Sequence, residues 1–399
     1  MRVGRHGTHL GYCTNIHPGE TWPEIRGNVE SHVRNVKRQL APDRPFGVGL
    51  RLSGAAARAL REPATLGAFR DFLEQNGLYV FTINAFPYGP FHGRPVKEAV
   101  YRPDWLEPER LGYSDDVAHV LAGLVDPEDS GSISTVPGAF RERIQSPQDI
   151  ATMGRELALH AVTLWRLRED GRASIGIAIE PEPECIVETT AQAIGFLEDN
   201  VFGGAGARAF REATGLEAAD AETALRHHVG LCLDACHAAV EFENPTEIVA
   251  SLAAAGVRVL KLQVSAGLRI MHPDQDALAT LHRYAEAVYL HQVVIRRGTQ
   301  LTRVLDLPQA LATATPADLG DEWRVHFHVP LFHASLGAFA STQPFLIELL
   351  ALQRRAPFTD HLEVETYTWD VLPPELRAQP VDDAVARELR WTIDQLEAG

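Results

Sequence analysis

The chain has 399 residues, 45% of them hydrophobic and 23% charged, a composition that buries a core without disulfide staples. A formal net charge of −16 argues against a nucleic-acid partner, because displacing counterions from a phosphate backbone needs a basic surface. Lysine occurs only at Lys37, Lys97 and Lys261, and Cys13, Cys185, Cys232 and Cys236 lack the paired C-x-x-C spacing of a structural zinc site. No apolar run is long enough to span a bilayer and no charged-then-apolar leader opens the sequence, so a cytoplasmic location is expected.

A short apolar strand, a loop with ionisable residues and a helical pattern recur along the chain. The first strand is expected at Gly11–Ile16, followed by His17 and Glu20. The second is Phe46–Leu52, and its helix side includes Thr65–Asn76, stopped by Gly77. The third, Tyr79–Phe86, leads into the Pro/Gly/aromatic loop Pro87–Gly93. The fourth is Gly131–Val136, and the fifth, Ser174–Ile179, runs into the Pro/Glu stretch Glu180–Glu184. The sixth is Val229–Asp234, the seventh Val257–Val264, entered from a helix at about Pro245–Ala255, and the eighth His361–Tyr367. This alternation predicts a parallel sheet with helical crossovers, and eight strands predict closure into an α/β (β/α)8 TIM barrel, with an open doubly wound sheet as the alternative.

Two stretches interrupt the alternation of a chain read as one domain over 1–399. Residues 186–228 read as a helical insertion. Within 285–331, His291–Arg297, Gln300–Leu307 and Trp323–Leu331 read as strands without long helices between them. They are expected to form an antiparallel β excursion between strands seven and eight, placed as a lid over the site.

Side chains alternate across a strand with period two. In strand five Ile175, Ile177 and Ile179 share one face, and Gly176, Ala178 and Glu180 the other. In strand six Gly230, Cys232 and Asp234 lie opposite Leu231 and Leu233. In strand seven Val259, Lys261 and Gln263 lie opposite Leu260, Leu262 and Val264, and in strand eight His361, Glu363, Glu365 and Tyr367 lie opposite Leu362 and Val364. Four strands thus aim Glu180, Asp234, Gln263 and Glu365 inward near their C-terminal ends, where barrel enzymes place their chemistry. Carboxylates facing one another across a barrel mouth repel unless a cation sits between them, so these four are the candidate ligands of a divalent metal. A Gln oxygen in place of an imidazole favours Mg²⁺ or Mn²⁺, with Zn²⁺ the third candidate. One layer below, Lys261 and Glu363 are expected to form a buried structural pair, and Cys232 and Cys236 to be packed small residues.

Asp234 and His237 form a D-x-x-H motif at the end of strand six. With Glu180 before it and Glu365 after it, this arrangement resembles the xylose isomerase-like TIM-barrel superfamily of sugar isomerases and epimerases. The resemblance implies metal ligands at Glu180, Asp234 and Glu365, with Gln263 standing where a histidine is usual. It also implies substrate contacts from His237 and from Arg269, six residues beyond Gln263. Over most of the chain, the stretches Gly11–Glu20 (GYCTNIHPGE), Val325–Pro330 (VHFHVP) and Glu363–Trp369 (EVETYTW) look like the metabolite traffic protein EboE family, which implies a role in moving or processing a metabolite. His326 and His328 would share a strand face and are the alternative source of the missing imidazole.

The implied function is a metal-dependent isomerase or epimerase of a sugar or polyol-like small molecule, working through an enediolate. Glu180 and Glu365 would exchange protons, His17, His237 and Arg269 would contact hydroxyls, and Phe86, Phe91 and Trp369 would form an apolar wall. The alternatives are a non-catalytic metabolite-binding or traffic protein on the same barrel, and a metal-dependent hydrolase. The oligomeric state is open.

Overall fold

The computed structural model describes residues 1–90, 92–93, 95–315 and 318–398; Phe91 lies outside the described residues. Eight parallel strands form the barrel: β1 (Thr8–Tyr12), β2 (Phe46–Arg51), β3 (Leu78–Asn84), β4 (Ser130–Thr135), β5 (Ser174–Ile179), β6 (Val229–Asp234), β7 (Val259–Val264) and β8 (His361–Val364). Each pairs in parallel with the next from β2 to β8, and β8 then pairs with β1. A parallel bridge from Cys13 to Gly49 joins β1 to β2 and closes the cylinder, so the fold is a TIM barrel and not an open sheet. No helix among the described residues is long and apolar enough to cross a membrane.

Local sequence signals set several element boundaries. The helix Pro245–Ala255 starts on Asn244, whose side chain accepts from the Glu247 N–H, has proline in its first turn, and ends at Gly256 with φ +63°. The 186–228 stretch is helical, including Thr190–Phe196, Gly204–Thr214 and Ala218–His228. The first strand differs from expectation. It ends at Tyr12, and Thr14–Ile16 form a 3-10 turn that carries Asn15 across the barrel mouth.

The excursion between β7 and β8 is a six-stranded antiparallel sheet that starts directly after β7. Leu268–Met271 pairs with Glu322–Val325 and with Phe339–Ser341, and Glu322–Val325 pairs with the hairpin of Val293–Arg297 and Gln300–Val304. The expected strand Trp323–Leu331 stops at Val325. Beyond it the chain leaves the sheet and runs along the barrel rim, where the Val329 N–H donates to Ala266 O at 2.8 Å.

Inward parity holds with one exception. A bulge between β6 and β7 pairs Leu231 with Val259 but Cys232 with Lys261. Leu260, expected outward with Leu262 and Val264, therefore turns into the barrel beside Ala178 and Cys232. Glycine makes room for it: a Cβ on Gly176 or Gly230 would lie 2.7 or 3.0 Å from Leu260 side-chain carbons. Above this layer the Lys261 ammonium meets Glu363 at 2.6 Å, both side chains fully buried, and Gly49 leaves the space that the Glu363 carboxylate fills.

This buried pair gives a stability test. Lys261→Met leaves the Glu363 charge buried and uncompensated and is expected to cost about 3–5 kcal/mol, whereas Lys261→Met with Glu363→Gln recovers most of that loss. Denaturant titration of the two variants measures it, and a double variant no more stable than the single one contradicts the pairing.

Candidate metal centre

Three strands deliver three carboxylates to one point. Glu180 follows β5, Asp234 ends β6 and Glu365 follows β8; each is at most 5% exposed, and one oxygen from each lies within 4.8 Å of the others. Two like charges at that separation repel by at least about 3.5 kcal/mol at an effective dielectric constant of 20. Burial, reinforced by Glu365 and Asp234, pushes the Glu180 carboxyl well above its usual range. Burial, then Asp234 and Glu363, does the same to Glu365. Asp234 goes the other way: burial opposes its ionisation, but the imidazoles of His237 and His328 and hydrogen bonds from the His237 N–H and the Ser265 hydroxyl hold it below the usual value.

The D-x-x-H spacing has a local cause. Asp234 caps the helix Ala235–Val240, its Oδ1 accepting from the His237 N–H at 2.9 Å and from Ser265 Oγ at 2.7 Å. Three residues on, just under one helical turn, His237 comes back over Asp234, with Nε2 3.9 Å from Oδ2.

Two further imidazoles reach the same place. The ring centroids of His326 and His328 lie 4.4 and 5.9 Å from that of His237. Oxygen acceptors face Nδ1 of all three rings: Pro181 O for His237 at 2.9 Å, Gln292 Oε1 for His326 at 2.7 Å and Glu365 O for His328 at 2.9 Å. A neutral ring so placed keeps its proton on Nδ1 and presents the Nε2 lone pair to the site. Burial favours that neutral form, lowering His328 to about 4 and holding His326 well below its usual value, with His237 adding to the effect at His326. Around His237 ligand atoms cluster in two further groups, Asp234 with His237 and His328, and Glu182 with His237 and His326.

These residues fit a divalent ion on an observation independent of the ligand pattern. Glu180 Oε2, Asp234 Oδ2, His328 Nε2 and both side-chain polar atoms of Gln263 are buried without a hydrogen-bond partner. Buried polar atoms are usually satisfied; others without a partner lie elsewhere in the chain, Asp104 Oδ2 and Thr135 Oγ1 among them, but these sit on the three-carboxylate cluster and its immediate neighbours. Glu365 is steadied from the far side, its Oε1 accepting from Asn15 Nδ2 at 2.7 Å and Asn84 Nδ2 at 3.2 Å.

No protein-family profile and no curated protein matches the chain. Solved structures do. One is a xylose isomerase-like TIM-barrel protein from Mycobacterium smegmatis in complex with magnesium, with TM-score 0.52, 11% identity and 98% of each chain covered. The chain shares its fold with that barrel. Other similar structures are an L-ribulose 3-epimerase (TM-score 0.47, 12% identity, 97% of this chain and 93% of that one) and the IOLI protein with a bound zinc atom (TM-score 0.45, 13% identity, 97% of each).

The structure brings Glu180, Asp234, Glu365, His237, His326 and His328 together, and Phe86 lines the same cavity as Glu180, His237, His326 and Glu365. Gln263 sits in register between Asp234 and Glu363 and is fully buried. Three expected substrate contacts are corrected. Arg269 is held in the small sheet by Glu322 at 2.6 Å, because its strand leaves the barrel to pair with Glu322–Val325. His17 bonds to Tyr12 Oη at 3.0 Å and stacks on His32 at 4.1 Å, since the chain has already turned at Thr14–Ile16. Trp369 is packed in the core on the turn Tyr367–Val371, which offers Tyr367 to the cavity instead.

Sequence reasoning missed Asn15, Asn84, Glu182, Tyr101 and Tyr367, all of which line the cavity. Asn84 carried a usable signal, a polar residue closing an apolar strand. Tyr101 carried none: its hydroxyl donates to Glu182 Oε1 at 2.7 Å across 81 residues.

Glu388 ties the two halves of the rim together, its Oε1 accepting from the Leu331 N–H at 3.1 Å and from Thr366 Oγ1 at 2.8 Å. Burial raises its carboxyl from 4.5 to about 7. Between those values the folded state holds a proton that the unfolded chain releases, so stability falls as pH rises from about 4.5 to about 7. The loss from this group is roughly 3 kcal/mol. Glu388→Gln is expected to remove that part of the slope in urea titrations at pH 5 and pH 8; an unchanged slope rules the assignment out.

Proposed function

We propose that the protein is a divalent-metal-dependent isomerase or epimerase of a sugar or polyol-like metabolite. The observation that carries this reading is the convergence of Glu180, Asp234 and Glu365 on one point beside a cavity that Glu180 and Glu365 line, with Glu180 Oε2 and Asp234 Oδ2 buried there without a partner. Glu180, Asp234 and Glu365 would hold the ion, with His328 Nε2 a better-placed fourth donor than Gln263. His328 belongs to a ligand group with Asp234, and an imidazole beside carboxylates suits Mn²⁺ or Zn²⁺ at least as well as Mg²⁺. The magnesium in the M. smegmatis barrel supports a divalent ion in this fold. When bound, the ion would offset the clustered negative charge and stabilise negative charge developing on a substrate oxygen.

The protein's own groups would do the rest. Glu180 and Glu365 reach the cavity from strands well separated in the sheet order and are poised to give and take a proton at a substrate C–H and hydroxyl. Asn15 and Asn84 hold one oxygen of Glu365, which fixes the direction in which the other points. His237, anchored on Pro181 O, offers Nε2 to a substrate hydroxyl. Glu182, bonded by Tyr101, extends the acceptor surface. The resemblance to EboE proteins adds the finer reading that the metabolite is one being moved or processed between steps.

The purified chain is expected to carry about one divalent ion and, with it, to exchange a substrate C–H hydrogen for solvent deuterium, read by NMR across a panel of ketoses and cyclitols. Glu180→Gln is expected to lower exchange at least about 100-fold, the usual size of a general acid–base contribution. Metal bound without exchange on any panel member would leave a binding or traffic protein. No ion at all, before or after dialysis against Mn²⁺, would sink the metal centre.

A further inference from the structure

The cavity has two unlike ends. Its floor is made of acceptors: the Asn15 Oδ1 and Glu180 Oε2 atoms are buried without partners, beside Glu182 and Glu365. Among the described residues lining it, Lys97 is the sole lysine or arginine, and it is already committed. Its ammonium bonds to Asp306 Oδ2 at 2.6 Å and to Tyr289 O at 2.7 Å. A phosphate or carboxylate would therefore meet no free lysine or arginine and, beyond the proposed ion, only the carboxylates of Glu182 and its neighbours, whereas a hydroxyl can donate to Asn15 Oδ1 and to the carboxylate oxygens that the ion leaves open.

The outer part is apolar. Val96, Val100, Leu290 and the ring of Phe86 line it, and Val96 packs with Tyr289 under Val100 and Val288. The wall of Pro87, Val96 and Val100 also lines a neighbouring surface groove, continued by Tyr88, Pro95 and Ala99 and edged by Arg102, whose guanidinium pairs with Glu107 at 2.5 Å. Apolar surface thus runs from above the acceptor floor out to solvent. A small polyol alone would leave it wet, and singly exposed apolar residues do not build such a track.

We infer that the ligand is an uncharged polyol head carrying an apolar appendage, the head seated on Asn15, Glu180 and Glu365 and the appendage lying along Val96, Val100 and Pro87. This rests on the reading of the cavity as a polyol site and adds the chemistry of what is attached.

The test uses the full-length, metal-loaded chain and the series 1,2-propanediol, 1,2-hexanediol and 1,2-octanediol, with glycerol 1-phosphate as the anionic probe, all followed by titration calorimetry. Affinity is expected to rise about two- to fourfold per methylene, the gain for burying apolar surface. Val100→Asp should abolish that rise and the near-isosteric Val100→Thr should reduce it, both with unchanged circular dichroism. Glycerol 1-phosphate should bind more weakly than 1,2-propanediol. Equal affinity along the series, no measurable binding of any member, a rise that survives Val100→Asp, or tighter binding of the phosphate overturns the inference. A rising series in a protein that retains no metal would overturn the metal centre and leave this inference standing, so the two fail separately.

Discussion

Three carboxyl groups packed into one buried space repel one another, and much of the barrel mouth is arranged around that repulsion. At about 3.5 kcal/mol or more per ionised pair, the charges of Glu180, Asp234 and Glu365 cannot all persist without either protons or a cation. The neighbours sort the three acids. Asp234, capping a helix and bonded by Ser265, is held below its usual value, while Glu180 and Glu365 are pushed toward the protonated form. Such unequal partners are what the proposed function requires, a site that would both hold positive charge and pass protons.

The imidazoles are oriented by the same economy of backbone. His237 leans on Pro181 O just after β5, and His328 on Glu365 O just after β8. Each ring is thus fixed by a carbonyl within one residue of a candidate ligand, Glu180 or Glu365. A shift of one strand end would move a carboxylate and the tautomer anchor of a histidine together. The excursion returns the His326–His328 segment to the rim, and its Tyr289 and Leu290 line the cavity together with Val96, Val100 and Tyr101.

Below the mouth the barrel is filled in layers. The rings of His9, Phe81 and His361 meet at 5.2–5.4 Å near the N-terminal end, then come Leu260 with Ala178 and Cys232, then the Lys261–Glu363 pair. Along β8, His361, Glu363 and Glu365 climb through these levels on one face. A single strand therefore runs from aromatic floor to ion pair to candidate ligand, and the packing of the lower layers sets the height of the upper one.

The sequence by itself determined what is local and periodic. Period-two alternation placed Glu180, Asp234 and Glu365 on one face of the barrel, because parity survives as long as a strand stays regular, and it foresaw Lys261 beside Glu363. Capping and helical spacing made Asp234 and His237 neighbours, since residues three apart meet on one side of a helix. Only the tertiary structure decided the rest. The bulge at Leu260 is an adjustment of one strand to its neighbour, invisible within either. His328 joined Asp234 while Arg269, six residues past Gln263, was carried off to Glu322, because the small sheet starts at Leu268 and takes its strands out of the barrel. Asn15 and Asn84 met on Glu365 because barrel closure makes neighbours of strands far apart in the chain.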